Sequence, residues 1–303
     1  MDHRPARHHR TEHFVEAAPG TRLWVEECGP ADAEALLLIM GAQTSGLGWP
    51  DALVDTLAEH CRVIRYDHRD TGRSSRRFNE QPYAIADLAV DAVAVLDALG
   101  VARAHVVGLS LGGLLAQLLV ADHPDRLLSA TLIGTSSLST TPYVDAAGHE
   151  TPPERLPGTD PRLLALWAEP PRVRSLEEEL AWRVEHWRLL SGEQLPFDAA
   201  EARALERRIV EHTGHHENSA AHAHADPSGL LRTEELAATD VPVLVVAGPA
   251  EPVFPPPHAQ HLAQTVRGAR LVEIPGMGHA LPRQVLDPLA AAILAHAGAA
   301  SYR

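Results

Sequence analysis

The segment AHVVGLSLGGLLAQLLVADHP, residues 104–124, decides the fold of this chain. It opens with an apolar run typical of a buried strand, and it continues from Leu111 as an apolar helix that stops at a His-Pro pair. A G-x-S-x-G pattern centred on Ser110 joins the two. A strand that runs directly into a serine and a helix that runs directly out of it form the tight turn that displays a hydroxyl at the edge of a sheet, and the glycines allow the close approach. Ser110 is therefore predicted to be a nucleophile.

A serine hydroxyl needs a base to take its proton, and in this kind of site the chain order is serine, acid, histidine. Among 19 histidines, His279 lies in the loop PGMGHALP, directly after the last predicted strand. The acid is expected after the preceding strand, where Glu251 is the only carboxylate of PAEPVFPPPH. Asp240 precedes that strand and would lie at the opposite end of the sheet. The sequence thus predicts a triad of Ser110, Glu251 and His279, in which the glutamate fixes the tautomer of the imidazole.

Two backbone amides are expected to stabilise the oxyanion formed when the serine attacks a carbonyl. One belongs to the residue after the nucleophile, Leu111, and the other to the loop after an earlier strand. That loop reads Met40-Gly41-Ala42-Gln43, and its glycine lets the next amide turn inward. Ala42 and Leu111 are therefore the predicted oxyanion hole.

Apolar runs alternate with helical patterns on both sides of a long interruption. The runs predict strands at 22–27, 35–40, 62–67, 104–109, 128–134, 241–248 and 269–274. The central runs are apolar without alternation, as in parallel strands buried on both faces, and helical patterns occupy 85–100, 111–124 and 287–298. The interruption is rich in Pro, Glu, Arg and His, with helix candidates at 175–190 and 198–212 and no strand pattern. We expect an α/β-hydrolase fold with a mostly parallel central sheet, its core formed by 1–136 and 237–303 and a helical cap inserted at 137–236.

The composition excludes several classes of function. A formal net charge of -14 would repel a phosphate backbone, so nucleic acid is not an expected partner. Cys28 and Cys61 are too few for a disulfide scaffold, and no stretch of 18 apolar residues predicts a membrane span. The polar N-terminus lacks the apolar region of a signal peptide. These features predict a cytoplasmic protein without a membrane partner, and the absence of a glycine-rich phosphate loop or dinucleotide motif predicts no cofactor.

Two polar clusters and a tryptophan pair need an interpretation. The charged run Asp67-His68-Arg69-Asp70 follows a strand, and we interpret it as a structural network that supports the oxyanion loop. The histidine-rich stretch, residues 212–224, has spacings that fit no closed metal site, so no functional metal is expected. Trp182 and Trp187, five residues apart on one predicted helix, are expected to pack the cap against the sheet.

Four stretches resemble the aclacinomycin methylesterases, α/β hydrolases that cleave the methyl ester of anthracycline polyketides during antibiotic biosynthesis. They read LLLIMGAQTSGLGWP, RVIRYDHRDTGRSS, AVDAVAVLDALGVARAHVVGLSLGG and EIPGMGHALP. The likeness is close over about 22–135 and 241–297 and looser in between. It implies that the nucleophile is Ser110, the base His279, and the oxyanion amides those of Ala42 and Leu111. The chain departs from the family at Glu251, where the family has an aspartate, and at Ala42, which is usually a glycine.

The resemblance implies a carboxylic ester hydrolase that cleaves a methyl ester of an anthracycline-like polyketide through an acyl-enzyme. Its partner would be a small-molecule ester, a bulky aromatic polyketide, and Trp187, Phe197 and Phe254 are candidates to line the pocket. Two alternatives stay open on the residues alone. A thioesterase or lactonase would use the same triad, and a ligand-binding homologue without turnover would differ only in a misaligned Glu251.

Overall fold

A computed structural model describes residues 8–169, 173–217 and 219–301 of the chain, and its strands and helices alternate on both sides of a helical stretch. Within these ranges, the strands are Arg10–Ala18 (β1), Thr21–Cys28 (β2), Ala35–Ile39 (β3), Arg62–Tyr66 (β4), Ala104–Leu109 (β5), Leu127–Ile133 (β6), Tyr143–Val144 (β7), Glu150–Thr151 (β8), Val243–Ala247 (β9) and Arg270–Glu273 (β10). The α-helices are Asp51–Ala58 (α1), Ile85–Ala98 (α2), Leu111–Asp122 (α3), Pro161–Trp167 (α4), Leu176–Leu190 (α5), Ala199–Thr213 (α6), Ala221–His224 (α7), Thr233–Ala238 (α8), His258–Thr265 (α9) and Arg283–Ser301 (α10).

Eight strands form one sheet in the order β1-β2-β4-β3-β5-β6-β9-β10. Six neighbouring strands run parallel, in the order β4, β3, β5, β6, β9 and β10. β1 and β2 are antiparallel and extend one edge. Every residue of β3, β5 and β9 is buried, because parallel strands are covered on both faces. The predicted α/β-hydrolase fold with a mostly parallel sheet is confirmed.

Helices cover both faces of the sheet, and the alternation of side chains along β3 divides the core between them. Leu37 lies in one apolar cluster with Leu88 of α2 and Leu115 of α3. Leu36 points to the other face and lies in a cluster with residues of α1 and α10. The loops at the carboxyl ends of the parallel strands therefore meet at one open edge, where ligands bind in open α/β sheets.

The structure corrects the sequence reading in three places. The edge strand β1 was not predicted, and it pairs with β2 along most of its length. A short antiparallel hairpin, β7 with β8, lies in 137–236, where no strand pattern was expected. The last helix begins at Arg283 rather than at 287.

The segment between β6 and β9 is otherwise helical, and two long helices dominate it. Ser175 caps α5 by accepting from the Glu178 amide, and Asp198 caps α6. Near its end, α6 packs Ile209 against Trp24 of β2 and Leu47 of the loop after β3. At its other end the segment returns through α8, which packs against α3. The cap boundaries at 137 and 236 stay a prediction. No helix in the described parts of the chain is long and apolar enough to cross a bilayer.

Candidate active site

The turn between β5 and α3 holds Ser110 at a positive φ of +57°, with ψ -118°. Such a backbone is strained for a residue other than glycine and costs about 1–3 kcal/mol. The two flanking glycines leave room for it. A Cβ at Gly108 would lie 2.1 Å from the carbonyl oxygen of Gly112, and a Cβ at Gly112 would lie 2.0 Å from that of Ile39. Any side chain at either position would collide with backbone, so the turn requires both glycines.

A buried carboxylate and imidazole form the second part of the site. The Nδ1–H of His279 donates to both carboxylate oxygens of Glu251, at 2.8 and 2.9 Å. Both residues are less than a tenth exposed. Oε1 of Glu251 also accepts from the backbone amide of Val253 at 2.7 Å, which fixes the carboxylate in place. The backbone amide of His279 donates to the carbonyl of Leu190 at 2.8 Å, so the end of α5 holds the histidine loop. The arrangement keeps hydrogen on Nδ1 and leaves Nε2 free to accept a proton.

The backbone of residues 133–134 connects Ser110 to Glu251 and His279. Its amide donates to the carbonyl oxygen of Ile133 at 2.9 Å. At the next residue, a Cβ on Gly134 would lie 3.0 Å from both Glu251 Oε2 and His279 Nδ1. Within the ranges that the structure describes, no hydrogen bond joins the Ser110 hydroxyl to His279. Catalytic hydrogen bonds of this kind are often long before a substrate binds. The structure thus joins Glu251 and His279 directly and connects Ser110 to them through the backbone of residues 133–134.

The loop after β3 passes against the serine, as the predicted oxyanion hole requires. A Cβ on Gly41 would lie 3.4 Å from the Cβ of Ser110 and 3.9 Å from its hydroxyl oxygen. Ala42 follows directly and is exposed. Leu111 is the first residue of α3, where the helix has unpaired amides and the positive end of its dipole. Both predicted residues therefore lie in segments adjacent to the hydroxyl.

The three predicted pocket residues have different surroundings. The ring of Phe254 lies 6.3 Å from that of His279, centroid to centroid. Trp187 is half-buried and its indole donates to Glu206 at 2.6 Å, so the expectation that it packs the cap agrees with its contacts. Phe197 is half-buried in the connection between α5 and α6.

His186, on α5, lies near His279 and was not predicted from the sequence. Its Nε2 accepts from the indole of Trp167 at 3.0 Å, so its hydrogen is on Nδ1. Burial lowers the pKa of His186 to about 4, and the nearby charges of His279 and Arg183 act in the same direction. The side chain is therefore a neutral neighbour of the base. Its position on α5, three residues after Arg183, gave no local signal of this role.

The charged run after β4 is a structural network, which confirms its interpretation. Both oxygens of Asp67 accept hydrogen bonds, one from Ser45 and the amide of Gly46 and the other from His212 of α6 at 2.8 Å. Burial acts to raise the pKa of Asp67, but the hydrogen bonds from His212 and Ser45 outweigh it and hold that pKa below its ordinary value. His68, the next residue, donates from Nε2 to the carbonyl of Met40 at 3.0 Å. The network therefore joins the loop after β3, the residues after β4 and helix α6.

The described residues hold no group of three or more histidine, cysteine, aspartate or glutamate side chains that could bind a metal ion. The histidine-rich stretch instead spreads its side chains over separate partners, with His212 on Asp67 and His222 on the oxyanion loop. Cys28 and Cys61 are free and buried, and burial raises the pKa of each thiol to about 11. Neither thiol is therefore activated as a nucleophile.

Known proteins share this architecture and much of this sequence. A family model described as the alpha/beta hydrolase fold matches residues 34–282. The chain is 46% identical over 286 residues to the rhodomycin D methylesterase DauP of Streptomyces sp. strain C5, covering 92% of this chain and 96% of the relative. It is equally similar, 46% over 287 residues with the same coverage, to the rhodomycin D methylesterase DnrP of Streptomyces peucetius.

Among solved structures, Est816, described as an N-acyl homoserine lactone degrading enzyme, superposes with a TM-score of 0.69 at 25% identity, over 93% of this chain and 99% of that one. The 46% identity to the two rhodomycin D methylesterases confirms the resemblance to anthracycline methylesterases that the sequence indicated. The chain belongs to the α/β-hydrolase family, in the branch that contains the rhodomycin D methylesterases.

Proposed function

We propose that this protein is a serine esterase that cleaves the methyl ester of an anthracycline-like polyketide with a triad of Ser110, His279 and Glu251. The buried contact between Glu251 and His279 carries the proposal. A glutamate is one methylene longer than the aspartate usual in the family, yet its two oxygens lie 2.8 and 2.9 Å from Nδ1. The acid therefore keeps its role with a different side chain, and this argues against the alternative of a ligand-binding protein with a misaligned triad.

In the proposed mechanism the Ser110 oxygen attacks the ester carbonyl while Nε2 of His279 takes the hydroxyl proton. Negative charge develops on the carbonyl oxygen and is stabilised by the amides of Ala42 and Leu111. The tetrahedral intermediate then collapses, the bond to the methoxy oxygen breaks, and His279 returns the proton so that methanol leaves. Water, activated by the same histidine, cleaves the acyl-enzyme and releases the free carboxylic acid. Glu251 stabilises the imidazolium in both steps, and the scheme needs no cofactor.

The substrate class rests on the relatives and on the cap. Both methylesterases are named for rhodomycin D, and the chain matches nearly their whole length. We propose that residues 137–236 form a cap that covers the site, with Trp187, Phe197 and Phe254 lining a pocket for a polycyclic ring. The hydrogen bond from the His279 amide to Leu190 supports this, because it joins the end of α5 to the catalytic loop. We also propose the cytoplasm as the compartment, since both cysteines are free thiols.

A lactonase is the second candidate, favoured by the structural match to Est816. A thioesterase would use the same residues. The three candidates differ only in the bond that Ser110 attacks, so substrate turnover separates them.

The test compares the purified protein with its Ser110→Ala variant on rhodomycin D, an N-acyl homoserine lactone, an acyl thioester and p-nitrophenyl acetate. We expect the parent to release the free acid of rhodomycin D, detected by mass spectrometry, and to be labelled covalently by a fluorophosphonate. The variant should lose both reactions while it binds rhodomycin D with an unchanged Kd, because only the attacking oxygen is removed. Turnover by Ser110→Ala at the parent rate would refute the mechanism. A parent that prefers the lactone or thioester would replace the methylesterase proposal with the second candidates.

A further inference from the structure

The histidine-rich stretch places one buried side chain on the loop that lies against Ser110. His222, in α7, accepts a hydrogen bond at Nδ1 from the backbone amide of Gln43 at 2.9 Å. Its Nε2 lies 3.0 Å from the carbonyl oxygen of Arg69. An amide can only donate and a carbonyl can only accept, so Nδ1 is unprotonated and Nε2 carries the hydrogen. The two backbone partners fix both the tautomer and the orientation of the ring.

The amide that His222 holds belongs to a strained residue next to the predicted oxyanion donor. Gln43 has φ +60°, a left-handed backbone that costs a residue other than glycine about 1 kcal/mol or more. On the other side of Ala42, the carbonyl of Met40 accepts from Nε2 of His68 at 3.0 Å. His68 thus holds the Met40–Gly41 peptide and His222 holds the Ala42–Gln43 peptide. The Gly41–Ala42 peptide lies between these two. That middle peptide carries the Ala42 amide hydrogen.

The two histidines also contact each other. The rings of His68 and His222 meet edge to face with centroids 5.5 Å apart. Both side chains are less than a tenth exposed. The loop 40–43 is therefore held between a core histidine and a cap histidine that share one buried contact.

We propose that His222 is a positioning residue for the oxyanion hole, because its Nδ1 holds the Gln43 amide and thereby fixes the direction of the Ala42 amide toward the reacting carbonyl. The inference rests on the proposed function in one respect, since it assumes that Ala42 donates to the oxyanion. It gives the otherwise unexplained histidine-rich stretch a task in catalysis that needs no metal. His68 has the complementary task on the Met40 side.

The charge state of both rings fits this task. Burial lowers the pKa of His222 to about 4; His68 and Arg69 act in the same direction, whereas the Arg69 carbonyl and Asp70 oppose it. Burial likewise lowers the pKa of His68. A neutral His222 keeps the lone pair on Nδ1 that the Gln43 amide requires.

Asparagine and glutamine substitutions at the two positions test this geometry. The asparagine oxygen lies near the place of Nδ1, and the glutamine amide nitrogen lies near the place of Nε2. At position 222, His222→Asn therefore retains an acceptor for Gln43, whereas His222→Gln retains only the donor to Arg69. At position 68 the order reverses, because His68→Gln retains the donor to Met40 and His68→Asn loses it. His261→Asn is the matched control, since His261 is also buried and donates to the carbonyl of Thr141, away from this loop.

The readout is kcat and KM for p-nitrophenyl acetate, with the number of reactive serines counted by end-point fluorophosphonate labelling so that unfolded protein does not enter kcat. Removing an oxyanion donor costs about 10²–10³ in kcat, so a misdirected donor should cost about 10- to 100-fold. We expect that loss in His222→Gln and His68→Asn, with KM nearly unchanged because the interaction forms in the transition state. His222→Asn and His68→Gln should retain most of kcat, and His261→Asn all of it.

The crossed order of the two substitutions separates positioning from stability, since a purely structural role gives no reason for asparagine to be better at one position and glutamine at the other. Equal kcat in both variants of position 222, whether high or low, would overturn the inference while leaving the esterase proposal intact. A parent that neither hydrolyses p-nitrophenyl acetate nor reacts with the fluorophosphonate would overturn both.

Discussion

Replacing Glu251 by glutamine removes the charge of the predicted acid and keeps its shape. Oε1 accepts from the amides of Val253 and Phe254, at 2.7 and 3.3 Å, so the glutamine must keep its oxygen at that position. Its NH₂ group then takes the place of Oε2, which lies 2.9 Å from Nδ1 of His279. The retained oxygen still lies 2.8 Å from Nδ1, but it no longer carries a full charge and an NH₂ donor stands beside it, so the tautomer with its hydrogen on Nε2 becomes favoured. The base is then blocked toward Ser110.

This wrong tautomer should reduce kcat by about 10⁴, as the loss of the triad carboxylate does in serine proteases, which corresponds to about 5 kcal/mol of transition-state stabilisation. The assay is kcat for rhodomycin D and p-nitrophenyl acetate, together with the rate of fluorophosphonate labelling. Glu59→Gln, at the exposed end of α1, removes the same charge outside the site and should have no effect. A Glu251→Gln variant with kcat within about tenfold of the parent would refute the reasoning and assign the acid elsewhere.

The remaining predictions concern the space beside Glu251 and His279 and the buried ring of His222. Gly134→Ala should lower kcat about 10- to 100-fold, because the new methyl group would lie 3.0 Å from Glu251 Oε2 and His279 Nδ1. Gly148→Ala is the control for backbone strain, because Gly148 also has a positive φ but open surroundings. This control should leave kcat unchanged. The free energy of unfolding should fall by about 1.4 kcal/mol per pH unit for His222 alone as the pH drops from 6.5 toward 4, because the unfolded chain binds a proton that the folded ring excludes. His222→Asn should show a slope shallower by this amount in urea titrations, and identical slopes would contradict the assignment of a neutral buried ring.

The sequence indicated features that local pattern encodes. The buried parallel strands are continuous apolar runs, and the turn at Ser110 needs only a strand, two glycines and a helix. The contact between Glu251 and His279 followed from chain order, because the loops after neighbouring parallel strands meet at one edge.

Other features depend on partners far away in the chain. β1 buries only Val15 fully and is held by pairing with β2, so its own sequence shows no buried face. Each strand of the β7–β8 hairpin is two residues long, which is too short to show the alternating apolar pattern of a strand. His212 and His222 contact residues 145 and 179 positions earlier, and no spacing within the histidine-rich stretch indicates such partners.

The contacts of His212 with Asp67 and of His222 with Gln43 have a consequence for how specificity diverges in this branch. A cap that selects the substrate would be regarded as an interchangeable module, yet the proposed cap also contacts Asp67 and loop 40–43. A chimera that received residues 137–236 from a relative without these two histidines should turn over every ester more slowly, by about 10- to 100-fold for the His222 contact alone, which could be mistaken for a change of preference. A transplanted cap should therefore carry both histidines with it.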